Sequence, residues 1–224
     1  MRYIQRLPLP ENFSKRLASK TSLTFSLSKE QKKKLKNVLL VSQKSLCCYC
    51  ESIIGAGEEE SHFEHFIEQH DNKNLVHDYN NLLLSCYGNT KSLNGNYEIS
   101  CGCGKERGRH GGVEIDYSLL LNPAENNVNL YYYSLAGNIV PSIQCSDKEK
   151  EKVNYTIKRL SLDSNRLIAN RLEQIDIILE EIKNLSKEER LNFISSLLNE
   201  NKEILTPFYS TMKDTFGFIL NSST

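Results

Sequence analysis

Cysteine and histidine are concentrated in one part of this 224-residue chain: six of its seven cysteines and all five histidines lie between residues 47 and 110. Cys47 and Cys50 form a C-x-x-C pair, Cys86 follows at a distance, and Cys101 and Cys103 flank a single glycine. A C-x-x-C pair places two sulfurs one turn apart, as a tetrahedral zinc ion requires, while the other two ligands come from elsewhere in the chain. The segments that carry these cysteines are therefore expected to converge on one point.

Metal ligation is favoured over disulfide bonds because the cysteine count is odd and the cysteines lie beside histidines. We predict a zinc ion bound by Cys47, Cys50 and Cys86, with either Cys103 or Cys101 as the fourth ligand. Cys103 is preferred because the residues after it resemble a zinc-knuckle turn. A redox dithiol is the other interpretation of the C-x-x-C pair, although no thioredoxin-like βαβ pattern surrounds it.

Four residues of the same types are expected to take no part in this site. Cys145 stands apart and is predicted to be a packed thiol, and Cys48 lies inside the C-x-x-C turn without binding the metal. His70 and His77 fall in a polar connection, which predicts surface positions for both.

Between the cysteines, two histidines and a carboxylate stand within four residues: His62, Glu64 and His65. Hydrolysis of a phosphodiester needs a base for water and a hard cation that takes up charge on the phosphate. Glu64 can hold the cation and His65 can accept the proton. Adjacent residues of a strand point to opposite faces. Either the strand bends so that His65 joins Glu64, or His62 and Glu64 share the site and His65 does something else.

The net charge and hydropathy of the chain limit how it could contact nucleic acid and whether it could span a membrane. The formal net charge is zero, so any contact with nucleic acid must use local patches rather than a global basic field. Lys105, Arg107 and Arg109 are candidates for phosphate contacts, with a solvated basic loop as the alternative. The lysines after Ser28 are interpreted as a solvated helix face, with a phosphate-facing patch as the alternative. No apolar run is long enough to span a membrane, which predicts a soluble, cytoplasmic protein.

We predict an α+β fold in three parts. Residues 1–40 form an extended arm and a helix that starts after a Ser28 cap. Residues 41–115 form the metal-binding core, in which two strands, 61–67 and 81–86, make a hairpin with a long connection. Residues 116–224 form a β-hairpin around Gly137 and then a helical region, in which Ser186 and Glu189 indicate a capping box.

The order of these motifs resembles the HNH endonuclease family, and most closely the PtuB-like subgroup of Septu and retron anti-phage defence systems. The resemblance extends over most of the chain. It is carried by Leu46–Glu51, His62–Phe66, Tyr79–Cys86 and the Cys-Gly-x-x-Lys run ending at Lys105, and outside the core by Arg2–Arg6, Leu121–Pro123, Asn154–Leu162 and Arg171.

This resemblance implies a ββα-metal core with a structural zinc ion held by four cysteines. It implies His65 as general base, with His62 beside it, Glu64 as a ligand of Mg²⁺ or a similar ion, and Asn81 as the residue that orients the catalytic strand. The last ligand of that ion is unassigned, and His110 is a candidate by proximity. The resemblance also implies DNA as substrate and an ABC-type ATPase as the controlling partner.

Two functions of different classes remain at this point. The first is a metal-dependent HNH endonuclease that acts in anti-phage defence under control of the ATPase. The alternative is a zinc-stabilised interaction module that docks on such an ATPase and has lost nuclease activity.

Overall fold

The structure is a computed structural model that describes residues 1–57, 60–91, 97–99, 103, 114–125, 127 and 129–221. These residues form a mixed α/β chain with six helices and three two-stranded antiparallel sheets. The helices are α1 (Glu11–Ala18), α2 (Lys29–Gln43), α3 (Asp147–Arg159), α4 (Asn165–Ile182), α5 (Lys187–Leu197) and α6 (Tyr209–Asn221). The strands pair as β1 (His62–His65) with β2 (Leu82–Ser85), β3 (Asn89–Lys91) with β4 (Tyr97–Ile99), and β5 (Tyr131–Tyr133) with β6 (Ile139–Pro141).

The amino-terminal part contains more helix than the sequence predicts. The expected extended arm includes the eight-residue helix α1, which follows Pro10 and buries Leu17. The Ser28 cap is confirmed: its hydroxyl accepts the N–H of Gln31, and the Gln31 side chain accepts the N–H of Ser28. This reciprocal pair satisfies two donors at the start of α2. The buried face of α2 then packs into the core through Leu35 and Leu39.

The predicted hairpin with a long connection is confirmed. β1 and β2 pair in regular antiparallel register, with His62 opposite Ser85 and His65 opposite Leu82. Leu82, Leu83 and Leu84 are fully buried, because β2 is covered on both faces.

One buried side chain joins this hairpin to α2. The amide of Gln43 donates to the carbonyls of Leu46 and Leu84 and accepts the N–H of Leu84. Because all three bonds converge on a fully buried residue, the end of α2, the start of the C-x-x-C turn and β2 hold fixed positions relative to one another.

The glycine turn of the second predicted hairpin is confirmed between β5 and β6. Gly137 has φ of +74°, and a Cβ there would lie 2.7 Å from the carbonyl oxygen of Ile168 in α4. The buried guanidinium of Arg171 donates to the Gly137 and Leu162 carbonyls, which fastens the turn to α4. The β3–β4 hairpin was not predicted, whereas α6 lies within the helical region predicted for residues 116–224.

The carboxy-terminal helices α3 to α6 begin with serine caps at three of their four starts. The predicted capping box of Ser186 and Glu189 is confirmed, and Ser146 with Glu149 forms another. The inner faces of α4, α5 and α6 form a separate apolar cluster that includes Ile175, Ile178, Ile194, Met212 and Phe216. Within the described ranges, none of the helices combines the length and apolarity that crossing a bilayer would need.

Helix α6 begins against the C-x-x-C turn. The Glu51 carboxylate accepts the N–H and the hydroxyl of Ser210, each at 2.7 Å, and its backbone carbonyl accepts the N–H of Phe208. The Met1 ammonium lies 3.3 Å from the same carboxylate. A carboxylate at a helix amino terminus satisfies free N–H groups and interacts favourably with the helix dipole. Glu51, the residue that follows Cys50, therefore fixes the start of α6 to the C-x-x-C turn.

Candidate metal centre and hairpin site

Four cysteines converge as the sequence predicts. The sulfurs of Cys47, Cys50, Cys86 and Cys103 all lie within 4.8 Å of one another, and the first, second and fourth are buried. The Cys50 and Cys86 sulfurs are 3.7 Å apart. Two sulfurs bound at about 2.3 Å to a tetrahedral ion lie about 3.8 Å apart, so this spacing fits a metal such as zinc. Cys103 takes the fourth position in the cluster, and Cys101 lies outside the described residues. We call these four residues the thiol cluster.

Local backbone bonds hold the thiol cluster in place. The Cys47 N–H donates to the Ser52 carbonyl, and the Cys48 N–H donates to the Leu84 carbonyl in β2. The Cys86 N–H, just beyond β2, points at the Cys47 sulfur at 3.3 Å. The turn and the strand therefore hold Cys47 and Cys86 next to each other.

The pKa of Cys47, which belongs to the thiol cluster, and the pKa of Cys48, which does not, are shifted in opposite directions. Burial raises the pKa of Cys47, but hydrogen bonds from the Cys103, Cys48 and Cys86 thiols outweigh it and lower the pKa to about 5. Burial also raises the pKa of Cys48, here to well above its ordinary value, so this thiol stays protonated. Since the thiolate is the form that binds metals, this difference agrees with the position of Cys48 outside the cluster. Cys145 is a buried thiol that donates to the Leu130 carbonyl.

His62 and Glu64 share one face of β1. The regular register excludes a bulge, so alternation places these two side chains together, with His62 Nε2 3.7 Å from Glu64 Oε2. Glu64 is buried, and its other oxygen accepts the Tyr49 hydroxyl at 3.1 Å. The Nδ1 of His62 donates to the Phe63 carbonyl, which leaves Nε2 to accept the Ser85 hydroxyl at 2.9 Å. The face combines a buried carboxylate, a ligand type that suits Mg²⁺, with an imidazole whose two nitrogens are both hydrogen-bonded.

His65 lies on the opposite face, at the end of β1. Its Nε2 donates to the Val76 carbonyl at 3.0 Å, and the Phe25 ring packs edge-on against it with 5.0 Å between centroids. The imidazole is only 7% exposed. Because a carbonyl only accepts, the proton of the neutral ring must reside on Nε2, so the lone pair is on Nδ1. Of the two arrangements left open above, the structure has His62 with Glu64, and His65 apart from both.

Asn81 ties the long connection between the strands. Its Oδ1 accepts the Ile67 N–H at 2.8 Å, and its Nδ2 donates to the carbonyls of Ile67 and Leu75 at 2.9 and 3.2 Å. The side chain is 5% exposed. A buried amide with its donors and acceptor used in this way fixes where the chain leaves β1 and re-enters β2.

The prediction for His70 is confirmed, since its ring is 74% exposed, whereas the prediction for His77 is wrong. His77 is buried because the segment before α2 covers it: its Nε2 accepts the Ser26 N–H, and Phe25 stacks on the ring at 5.7 Å. The phosphate-contact candidates Lys105, Arg107 and Arg109, together with His110, lie outside the described residues.

Three contacts of this site were not predicted: the Tyr49 hydroxyl, the Ser85 hydroxyl and the Val76 carbonyl. Tyr49 is an aromatic residue inside the C-x-x-C turn, and Ser85 ends an apolar strand next to a cysteine. Both patterns could have indicated polar groups aimed into the hairpin. The Val76 carbonyl carries no sequence signal, because backbone groups are the same at every position.

Comparison with models of known protein families gives no match for this chain, and comparison with curated proteins gives none.

Proposed function

We propose that this chain is a metal-dependent endonuclease of the HNH class that hydrolyses phosphodiester bonds of nucleic acid, with DNA as the expected substrate. One observation carries the proposal: a hairpin that bears His62, Glu64 and His65, with its connection tied by Asn81, is joined directly to the thiol cluster. We infer that the metal of the thiol cluster is a structural Zn²⁺. The ββα-metal class is part of the proposal. β1 and β2 would be its strands, and its helix has no counterpart in the described residues from Cys86 to Cys103.

His65 is proposed as the general base on the resemblance to HNH endonucleases alone, since in the structure it lies on the face of β1 opposite to Glu64 and His62. Its Nε2–H is fixed by the Val76 carbonyl, so Nδ1 is the atom that accepts a proton from water, and the carbonyl stabilises the imidazolium that forms. As water attacks phosphorus, one P–O bond forms, the bond to the leaving deoxyribose oxygen breaks, and that oxygen takes a proton from solvent. The proton from water goes to His65.

Glu64 is proposed to hold a Mg²⁺ or similar ion, which would neutralise charge on the scissile phosphate, with His62 beside it. The Tyr49 and Ser85 hydroxyls orient these two side chains. Within the described residues, Glu64 does not belong to any group of three metal-binding side chains. The remaining ligand, and the phosphate contacts expected from Lys105, Arg107 and Arg109, are proposals about residues outside that part of the chain.

The assignment to the PtuB-like subgroup rests on the sequence resemblance, and the segments outside the core that carry it contact the hairpin and one another. Arg6 donates to the carbonyls of Tyr79, Asn80 and Leu82 and so braces the approach to β2. The Ile4 N–H donates to the Pro123 carbonyl, and Leu121 N–H donates to the Thr156 hydroxyl. The resembling segments therefore brace one another around the hairpin. An ABC-type ATPase partner belongs to the same proposal. A cytoplasmic location is proposed as well, because clustered thiols persist in a reducing compartment.

The test is cleavage of supercoiled plasmid by the purified chain, alone and with its ATPase partner, with and without Mg²⁺. His65→Ala is expected to lower the cleavage rate by roughly 100-fold or more, as loss of a general base does. His70→Ala is the matched control, because His70 is a histidine of the same connection with an exposed ring. Unchanged cleavage by His65→Ala would remove His65 from the mechanism. Absence of any metal-dependent cleavage by the parent protein with its partner would overturn the proposed function.

A zinc-stabilised interaction module is the second candidate. It is favoured by the burial of both Glu64 and His65, at 5% and 7% exposure, which limits the access of a substrate to these groups. The module predicts that His65→Ala leaves both binding to the ATPase and protection against phage unchanged. The nuclease predicts that the same variant retains binding and loses protection.

A further inference from the structure

Four lysines of α2 form a stripe along one side of a cavity that His62 also lines. Lys29, Lys32, Lys33 and Lys36 occupy positions i, i+3, i+4 and i+7, so they share one face of the helix. The cavity has a volume of about 620 Å³, and the opposite wall includes Ser61, His62 and Tyr87. We call these four residues the lysine stripe.

Within the lysine stripe, one residue is structural and three face the cavity with exposed side chains. The Lys36 ammonium is buried and donates to the Gly57 and Ser61 carbonyls at 2.7 and 2.8 Å, which closes the cavity floor next to His62. Lys29, Lys32 and Lys33 are exposed. In the described part of the chain, no carboxylate pairs with these three lysines, and no acidic residue lines the cavity. Lys34, by contrast, points elsewhere and pairs with Glu30 at 2.9 Å.

The arrangement is unfavourable for the helix by itself. Like charges at i and i+4 repel, as Lys29 does Lys33 and Lys32 does Lys36, at roughly 0.2–0.5 kcal/mol per pair. Lys29 and Lys32 also lie in the first turn, where the helix dipole favours negative rather than positive charge. An anion in the cavity would relieve both effects. The three exposed lysines, from Lys29 to Lys33, span about 6 Å along the helix axis, close to two phosphate-to-phosphate steps of roughly 3.4 Å along one strand of B-DNA.

We propose, on the basis of the nuclease function proposed above, that Lys29, Lys32 and Lys33 bind successive phosphates of the nucleic-acid backbone next to His62. The cavity takes a polyanion of regular spacing rather than a single small anion, because its three exposed ammonium groups follow the helix axis. This surface supplies the local charge that a chain of zero net charge needs in order to hold nucleic acid.

The experiment measures equilibrium binding without cleavage. A Glu64→Gln chain is titrated against a fluorescein-labelled 30-base-pair duplex of mixed sequence, and against one of its strands, over a series of salt concentrations. The triple change Lys29→Ala, Lys32→Ala and Lys33→Ala is added to this background. Its matched control removes the same charge elsewhere, at the exposed Lys148, Lys158 and Lys187 of α3 and α5.

For the triple variant we expect weaker binding and a flatter salt dependence. The slope of log K against log[salt] changes by about 0.9 per phosphate contact on duplex and about 0.7 on single strand, so three contacts reduce it by roughly 2–3. The control triple keeps the slope of its parent. Thermal unfolding of the lysine variant is expected at the same or a higher temperature, because like-charge repulsion is removed and alanine favours helix.

Equal affinity and slope for the lysine variant and its parent would overturn the inference, as would a parent that binds neither probe. The outcome is separate from that of the proposed function. If the unmodified chain never cleaves but its binding depends on the three lysines, the nuclease assignment fails and the phosphate-binding surface stands.

Discussion

The thiol cluster with its hairpin and the helices α4 to α6 are held together in different ways. The hairpin has strands of only four residues, and its geometry depends on four sulfurs and on the buried amides of Gln43 and Asn81. The three helices are held by apolar side chains that pack across their inner faces. Directional contacts with few atoms set positions accurately but fail together when one is lost, whereas apolar packing is spread over many residues. The proposed nuclease site belongs to the first kind of region.

Loss of metal binding at the thiol cluster is expected to have the largest effect on the difference between the two regions. We expect Cys47→Ser to abolish the binding of one zinc ion per chain, measured by elemental analysis, because three thiols complete a tetrahedral site poorly. Binding of structural zinc contributes roughly 10–16 kcal/mol in small zinc-dependent domains, so β1 and β2 should lose their fold. Amide exchange should then accelerate in β2 while α4 and α5 stay protected. Cys145→Ser is the control and should retain zinc. Equal loss of protection in both regions would contradict the contrast.

The next largest effect is expected at Glu51, which joins the C-x-x-C turn to the start of α6. Glu51→Ala removes the carboxylate that accepts two hydrogen bonds from Ser210, and because these donors lose a charged acceptor we expect a loss of about 3 kcal/mol. Urea unfolding should show this loss. Glu51→Gln should lose less, because the amide oxygen still accepts from Ser210. If the two variants lose the same stability, the charge of Glu51 plays no part.

The same carboxylate gives a pH dependence. Burial raises the pKa of Glu51, but the Met1 ammonium and the Ser210 hydrogen bonds outweigh burial and hold the pKa below its ordinary value. Its contribution is therefore complete above the ordinary carboxyl range and is lost as the pH falls through the depressed value. Acid unfolding followed in the parent and in Glu51→Gln should converge at low pH. Curves that stay parallel would exclude this linkage.

Within the hairpin, neighbouring asparagines give a finer comparison. Asn81→Ala removes three hydrogen bonds of a buried amide and leaves the Ile67 N–H without its acceptor, so we expect a loss of about 2–3 kcal/mol. Asn80→Ala changes an exposed side chain and should alter stability by less than about 0.5 kcal/mol. Denaturant titration of the two variants measures the difference. A similar effect at both positions would mean that the connection is not held by Asn81.

The smallest expected effects differ in sign between two glycines. Gly137→Ala should destabilise by roughly 1–3 kcal/mol, because φ is +74° and the new Cβ would meet the Ile168 carbonyl at 2.7 Å. Gly217→Ala lies in α6 with no atom within 4 Å of its new Cβ, so it should stabilise by about 0.5–1 kcal/mol. Melting temperatures report both. Destabilisation by Gly217→Ala would show that α6 needs more than helix propensity and packing.

Features that depend on local chemistry could be predicted from the sequence. The C-x-x-C pair, the capping serines at 28 and 186, and the glycine turn at 137 each have their cause within a few residues. The β1–β2 pairing was also predictable, because an apolar strand and a cysteine-bearing turn had to meet. Which histidine shares a face with Glu64 depended on whether β1 is regular, and the sequence allowed both answers.

Long-range contacts were beyond the reach of the sequence. His77 is buried only because Phe25, far away in the chain, stacks on it. The start of α6 is fixed by Glu51, a residue 159 positions before Ser210. Such contacts follow from the assembled fold, since neither partner carries a local pattern that names the other.

The three hydrogen bonds of the Gln43 side chain couple the position of α2 to that of the hairpin. α2 cannot slide or rotate against β2 without breaking the bonds from Gln43 to Leu46 and Leu84, so a pull on its outer lysines is transmitted to the strand that ends next to Cys86. The Leu84 N–H donates to the Gln43 side chain, so its hydrogen exchange depends on the position of α2. Its exchange rate is expected to rise when α2 is displaced from β2.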